Sequence, residues 1–383
     1  MTFKIDVGKA LIPKKDEELP GDTVEIDRTG NSTVVVLADG LGSGVKANIL
    51  SSITAKMTVG MLKYGCDLAE VIESLANTLP VCEVRHIAYS TFTVLQVLPD
   101  GTAYLAEYDN PPAIIGKERE ILDIPRRTRT ISGRVIREAD FRLEEGSWVV
   151  LVSDGVIHAG IGGIWNLGWS HERVKNYIAR VIPSFQDAQD MCDDICHVCN
   201  RLYAGEVGDD VSVATVLVRK PRYLTLLIGL PKDKSKDREM LEVFLSRPGK
   251  RAVAGGSTSQ MVARELGKEL RVNLGSMKNG IPPTGYIEGI DLVTEGTLTI
   301  ARTLQYLREN RKKVSLLYQP DGASRLCAAL LEADDILMLL GTAVNPAHQS
   351  PDLPEALQLK SRMVEELSAV LREKGKTVSV VKF

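Results

Sequence analysis

Ten short segments rich in Val, Ile, Thr and Tyr fall within the first 218 residues, most of them bounded by Gly, Pro, Asn or Asp. This pattern of brief, punctuated strands constrains the fold more than any other feature. The segments are Phe3 to Leu11, Thr23 to Arg28, Thr33 to Ala38, Ser90 to Leu98, Ala103 to Tyr108, Ala113 to Ile115, Glu120 to Ile124, Val135 to Leu143, Trp148 to Val152 and Val211 to Val218. Short turns such as Pro99-Asp100-Gly101 and Glu144-Glu145-Gly146 favour antiparallel pairing. Two pairs of helical patterns interrupt the strands: Val45 to Leu62 with Asp67 to Leu79, and Glu172 to Val181 with Phe185 to Tyr203. Strands in bulk with helices in pairs predict an α/β fold of two stacked, mainly antiparallel sheets covered by helices.

The chain has 383 residues, which suits two domains at roughly 150 residues each. A polar stretch with a proline, Arg219-Lys220-Pro221-Arg222, marks the boundary, giving a first domain over residues 1–220 and an accessory domain over 223–383. The second part alternates more regularly. Strands are predicted at Leu224 to Ile228, Arg251 to Ala254, Ile336 to Leu340 and Thr377 to Val381. Helices are predicted from Gly255-Gly256-Ser257 to Leu266, and at Thr294 to Glu309, Ala323 to Glu332 and Pro354 to Glu373. That predicts a smaller α/β domain with a partly parallel sheet.

Composition excludes several classes of function. The apolar runs, such as Trp148 to Val152 and Ile336 to Leu340, fall far short of the roughly 18 residues that a membrane span needs. Aromatic residues are 5% and no basic stripe appears, which argues against nucleic acid as a partner. The net charge is −3 but unevenly spread: residues 1–222 hold 24 basic and 31 acidic residues. An acidic front with carboxylates beside glycine turns points to cation binding. Met1 to Lys9 carries Lys4 and Asp6 and no apolar signal core, and six cysteines follow no regular framework. Both features predict a cytosolic protein.

The chemistry concentrates at strand ends. In Leu37-Ala38-Asp39-Gly40-Leu41-Gly42-Ser43-Gly44, an apolar strand closes on an aspartate and a glycine loop leads into a helix. Such a carboxylate suits a hard cation, and the glycines let backbone carbonyls approach it. The spacing is neither that of a dinucleotide-binding loop nor that of a P-loop, and a plain strand-to-helix turn is the competing reading. Val149 to Val156 repeats the design around Asp154-Gly155. Gly208-Asp209-Asp210-Val211 opens a strand with paired acids, and Gly21-Asp22 precedes the strand from Thr23. Single Asp-Gly pairs are usually turns. Four aspartates gathered in one domain would repel, and a pair of Mg²⁺ or Mn²⁺ ions would offset that repulsion.

Taken together, Asp39-Gly40-x-Gly42-Ser43-Gly44-x-x-Ala47, Val152-Ser153-Asp154-Gly155 and Asp209-Asp210-Val211-Ser212 resemble the aspartate motifs of metal-dependent, protein phosphatase 2C-like serine/threonine phosphatases. The branch is that of stage II sporulation protein E, and the resemblance spans about residues 1–220. It implies an α-β-β-α sandwich, two Mn²⁺ or Mg²⁺ ions, and attack of a metal-held water on phosphoserine or phosphothreonine of a bacterial regulatory protein. Carried over, Asp39 bridges both ions, the Gly40 carbonyl binds one, Asp154 and Asp209 hold one, and Asp22 holds the other or its water shell. Asp39 and Asp154 are the catalytic positions, and Asp210 supports the site. Eukaryotic relatives place an arginine near the first acidic motif. Here no arginine precedes Asp22, and Lys14 and Lys15 are the nearest cations. In this branch the helices after the glycine loop, here Val45 to Leu62 and Asp67 to Leu79, can control assembly of the site. The implied partner is a phosphorylated protein, and a homodimer is one assembly open to the chain. Two other functions are open: a non-catalytic module that binds phosphoproteins, and a small-molecule sensor centred on the second domain.

The remaining motifs carry less. Cys192-x-x-x-Cys196-x-x-Cys199 has the spacing of an iron–sulfur loop, yet it sits at i, i+4 and i+7 of an amphipathic helix. A packing role is the better reading. His86, His158, His171, His197 and His348 form no metal or triad spacing, and all five are read as surface or core residues. Gly255-Gly256-Ser257 before a helix is read as an N-cap by Ser257 in preference to an anion site. Ile281-Pro282-Pro283-Thr284-Gly285-Tyr286 is a loop without an assigned role.

Overall fold

The computed structural model describes residues 3–29, 32–42, 44–78, 90–131, 133–161, 165–276, 283–311, 313–343 and 353–383. Ser43, Leu79, His86, Ile281, Pro282 and His348 lie outside the described residues. The chain divides into two compact units, Met1–Lys220 and Pro221–Phe383.

The first unit opens with strands β1 (Lys4–Ile12), β2 (Thr23–Thr29) and β3 (Ser32–Gly40), then helices α1 (Gly44–Lys63) and α2 (Leu68–Thr78). Strands β4 (Ser90–Val97), β5 (Thr102–Tyr108), β6 (Ile114–Lys117), β7 (Glu120–Ile121), β8 (Arg127–Ile131), β9 (Arg134–Arg142) and β10 (Ser147–Val152) follow. Helices α3 (Asp154–Ile157), α4 (His171–Val181) and α5 (Ala188–Leu202) lead to the last strand, β11 (Val211–Arg219). One sheet runs β2-β3-β4-β5-β9-β8 and the other β1-β11-β10-β6-β7. All pairings within both are antiparallel.

Burial on both faces explains why the central strands read as continuous apolar runs instead of alternating. In β3, Val35 and Leu37 join Leu95, Leu105, Val149, Leu151 and Val216 in the core between the sheets. Val34, Val36 and Ala38 face the other way, against Ala55 and Val59 of α1 and Val71, Ile72 and Leu75 of α2. The second sheet is covered in the same manner. Trp148, Val150 and Val152 pack on Val174 and Ile178 of α4 and on Met191 and Ile195 of α5. The layers are thus helix, sheet, sheet, helix, and each buried Val or Leu contributes about 1.5–3 kcal/mol.

Cys192, Cys196 and Cys199 belong to this last cluster, buried on the inner face of α5. Burial pushes the Cys192 and Cys196 thiols up to about 12, which keeps them protonated and poor as metal ligands. Cys192→Ala, Cys196→Ala and Cys199→Ala are each expected to cost on the order of 1 kcal/mol of packing. Urea denaturation reads that loss, and iron and sulfide at stoichiometric level in protein purified without oxygen would contradict the packing role. We also expect residues 1–220 to fold alone and keep basal Mn²⁺-dependent hydrolysis, because both sheets of the first unit close before Pro221. A well-folded but inert fragment would show that the second unit contributes to the site.

The second unit contains strands β12 (Tyr223–Ile228), β13 (Lys250–Ala254), β14 (Arg271–Asn273), β15 (Thr284–Tyr286), β16 (Leu292–Thr294), β17 (Asp335–Leu340) and β18 (Thr377–Lys382). Its helices are α6 (Asp237–Ser246), α7 (Gly256–Leu266), α8 (Thr297–Arg308), α9 (Lys313–Leu317), α10 (Gly322–Glu332) and α11 (Leu353–Glu373). The sheet order is β14-β15-β16-β13-β12-β17-β18. β16, β13, β12, β17 and β18 run parallel, and β14 and β15 are antiparallel. One face buries Leu224, Leu226 and Ile228 under Leu304, Leu326 and Leu367. The other buries Leu227 and Val253 under Phe244 and Val262. Three local expectations change. Thr284 to Tyr286, read as part of a loop, is strand β15, because it pairs antiparallel with β14 and β16. Thr294 closes a strand instead of opening a helix, because Leu292 to Thr294 pairs in parallel with β13. Gly255, at φ 130°, is the N-cap of α7 in place of Ser257, and its side-chain-free position leaves the Thr258 hydroxyl room. The Glu295 carboxylate lies beside Gly256 at that helix start, which places negative charge where an anion would bind.

Candidate metal centre

Strand pairing brings the four predicted aspartates to one end of the sandwich. Asp22 immediately precedes β2 and Asp39 lies near the end of β3, with Thr23 paired to Ala38. Asp154 follows the end of β10 and Asp209 precedes the start of β11, with Val152 paired to Val213. In each antiparallel pair the end of one strand is necessarily beside the start of the other, so each sheet supplies two carboxylates.

The glycine after each strand-end aspartate has a steric cause. A Cβ on Gly40 would lie 2.1 Å from the carbonyl oxygen of Ala47 on α1. A Cβ on Gly155 would lie 2.2 Å from the carbonyl oxygen of Asp210. Only glycine lets the loops approach this closely, and the approach puts Asp154 next to the segment that carries Asp209. Ser153 completes the join. Its hydroxyl donates to the Asp210 carbonyl at 3.0 Å and accepts from the Ser212 N–H at 2.9 Å.

Asp210 has a separate task. Its carboxylate accepts from the backbone N–H of Lys14 at 2.9 Å and of Gly21 at 2.9 Å. It thereby ties the loop leading to Asp22 onto the strand that Asp209 precedes. From the other side, Ser51 of α1 donates to the Gly21 carbonyl at 2.6 Å and Asn48 donates to the Pro20 carbonyl at 2.8 Å. The predicted cations are placed differently from one another. Lys15 is paired with Glu206, and Lys14 is close enough to lower the proton affinity of Asp209.

The electrostatics are those of carboxylates lacking counter-charge. Asp22 is 3% exposed, and its Oδ2 has no hydrogen-bond partner. Burial, with the charges of Asp210 and Asp154, pushes it up to about 7, against the pull of the Ser212 and Ser153 hydroxyls. Asp39 is pushed up to about 9 by burial and by the charges of Asp22 and Asp154. Asp209 is raised by burial and by Asp154. Among the described residues, none of the four forms an ion pair with lysine or arginine. A buried, unpartnered carboxylate oxygen facing other carboxylates suits a hard dication. Asp22, Asp39, Asp154 and Asp209 are close enough for their charges to act on one another at such a site.

One residue escaped the sequence reading. A side-chain nitrogen of His158 and carboxylate oxygens of Asp154 and Asp209 all lie within 4.8 Å of one another. The available signal was Asp154-x-x-x-His158, an i, i+4 pair, hidden because α3 is only four residues long.

Residues 29–219 match the family model of stage II sporulation protein E. The first unit belongs to that family. It is a family of PP2C-type serine/threonine phosphatases, and the helix–sheet–sheet–helix sandwich is its fold. Stage II sporulation protein E of Bacillus subtilis (strain 168) is 22% identical over 225 residues, covering 57% of this chain and 26% of the relative. The chain thus spans about a quarter of that relative's length. Among solved structures, the PP2C phosphatase domain of the Bacillus subtilis protein with a fragment of its regulatory domain has 19% identity and a TM-score of 0.48. That match covers 57% of this chain and 63% of the solved one. The RsbU and RsbW domains of a Mycobacterium tuberculosis protein have 18% identity and a TM-score of 0.45, covering 63% and 69%. No described helix of the SpoIIE-family unit or of the second unit is long and apolar enough to cross a membrane.

Proposed function

We propose that the chain is a metal-dependent protein serine/threonine phosphatase, acting on phosphoserine or phosphothreonine of a regulatory protein in the bacterial cytosol. The observation that carries this reading is the buried Asp22, whose Oδ2 has no hydrogen-bond partner, among three further carboxylates in a unit of the SpoIIE family. Asp39 would bridge two ions, Mn²⁺ or Mg²⁺. Asp154 and Asp209 would hold one, Asp22 the other or its water shell, and the Gly40 carbonyl would contribute to one. When bound, such ions supply Lewis acidity that makes water nucleophilic near neutral pH and neutralises phosphoryl oxygens.

The protein's own groups fix the donors. Asp210 and Ser153 lock three loops together, so the donors are held before any substrate arrives. Lys15 is paired with Glu206 and no arginine precedes Asp22, so substrate phosphate would rest mainly on the ions. Ser51 and Asn48 connect α1 to the Asp22 loop, so a shift of α1 would reach the site directly. The second unit is read as the regulatory module. The decisive assay is hydrolysis of phosphoserine and phosphothreonine peptides by the purified chain, with and without Mn²⁺. Binding of those peptides without turnover would favour a non-catalytic phosphoprotein-binding module.

A further inference from the structure

We propose that His158 is a third side-chain ligand, with Asp154 and Asp209, to one metal ion, and that it biases this position toward Mn²⁺ and other transition-metal ions over Mg²⁺. The inference rests on the metal-centre reading above and adds a donor of different chemistry to it.

The geometry comes from two directions. Asp154 begins α3 and His158 follows its last residue, and the His158 N–H donates to the Asp154 carbonyl at 2.8 Å. One helical turn therefore sets both side chains on the same side. Asp209 arrives from the opposite loop, and the three donor atoms fall within 4.8 Å of one another. Donors on one six-coordinate ion with bonds of about 2.1 Å stand about 3 Å apart when adjacent and about 4.2 Å when opposite. His158 is exposed, so a small side-chain rotation closes the remaining gap at little packing cost. The carboxylates are less free. The Tyr203 hydroxyl donates to the Gly155 carbonyl at 2.8 Å, and Ser153 binds the Asp210 carbonyl, which together pin the turn to the strand. A separate observation also marks this place as a cation site: Asp22, 3% exposed with Oδ2 unpartnered, lies close enough to Asp154 for their charges to interact.

The chemical consequence follows from donor type. Carboxylate, carbonyl and water oxygens serve Mg²⁺ and Mn²⁺ alike, whereas imidazole favours the transition metals, and Mg²⁺ dehydrates reluctantly. An Asp–His–Asp set should therefore separate the two ions where an all-aspartate set would not.

Pulsed electron paramagnetic resonance on the full chain loaded with Mn²⁺ tests this without reference to turnover. Wild-type protein should show imidazole nitrogen coupling to Mn²⁺, and His158→Gln should bind Mn²⁺ without it. In competition titrations, the preference for Mn²⁺ over Mg²⁺ should fall about tenfold in His158→Gln. Asp209→Asn should weaken Mn²⁺ binding itself. Mn²⁺ bound without nitrogen coupling in wild type, or coupling that persists in His158→Gln, overturns the role of His158 and leaves the metal centre standing. Absence of Mn²⁺ binding, or binding indifferent to Asp209→Asn, overturns the centre and the inference with it.

Discussion

Asp39→Asn is expected to lower turnover of a phosphoserine peptide on the order of 10²-fold or more, while the protein stays folded. Asp39 is the carboxylate on which the others converge: its proton affinity is raised by burial and by Asp22, Asp154 and Asp209. Asparagine keeps its shape and removes one negative charge from a set that has to offset two dications. Both metal affinity and activation of water should suffer. Asp154→Asn and Asp209→Asn each remove one donor from one ion, so excess Mn²⁺ should partly rescue them and should rescue Asp39→Asn least. Steady-state hydrolysis across a Mn²⁺ titration, with circular dichroism as the folding control, checks the order. A folded Asp39→Asn protein with near wild-type turnover would remove Asp39 from the centre.

The second large effect concerns stability in EDTA. Asp22 and Asp39 bind protons with pKa values near 7 and 9 in the folded protein, against 3.8 for an ordinary aspartate. Between those limits the folded state holds more protons than the unfolded one. Stability is therefore fully present below about pH 4 for these two groups and falls as pH rises through 7 and then 9. The loss should be on the order of a few kcal/mol between pH 5 and pH 9. Mn²⁺ should abolish most of it by replacing the protons. In EDTA at pH 8, Asp39→Asn should be more stable than wild type, the reverse of its effect on turnover. Urea denaturation across that pH range, with EDTA and with Mn²⁺, reads both. A wild-type profile that rises toward pH 9 in EDTA would contradict the crowded-carboxylate description.

What the sequence made legible, and what it did not, divides along physical lines. The central strands were readable because two-sided burial leaves continuous runs such as Val34 to Ala38. The grouping of the four aspartates was readable because Asp39 and Asp154 close such strands and are followed by a glycine that close contact requires, while Asp22 and Asp209 stand at the starts of the strands paired with them. β8, Arg127-Thr-Arg-Thr-Ile131, was not readable: it is an edge strand, mostly exposed, held by pairing with β9 and by ion pairs of Arg127 with Glu138 and Asp140. Nothing apolar announces such a strand. β16 was missed because three residues carry no period and only its parallel partner β13 makes it a strand. α6, Asp237–Ser246, also passed unread. His158 has no second histidine or cysteine at a metal spacing, and Asp209, which the fold brings to it, is 51 residues away in sequence. Asp210 adjoins Asp209 in sequence, but its bonds to Lys14 and Gly21 depend on long-range folding that no local pattern encodes.

The position of β11 bears on how the protein is made. This last strand of the first unit lies between β1, the first, and β10. Until residue 219 has emerged from the ribosome, β1 has no neighbour, Asp210 cannot hold the Lys14–Gly21 loop, and the centre lacks Asp209. The nascent chain must therefore carry Asp22 and Asp39 unassembled through most of the synthesis of its first unit. Residues 221–383 then follow, and at about 5–20 residues per second their translation takes on the order of ten seconds or more. That interval lets the long-range β1–β11 pairing, slow by its topology, form before the second unit is finished.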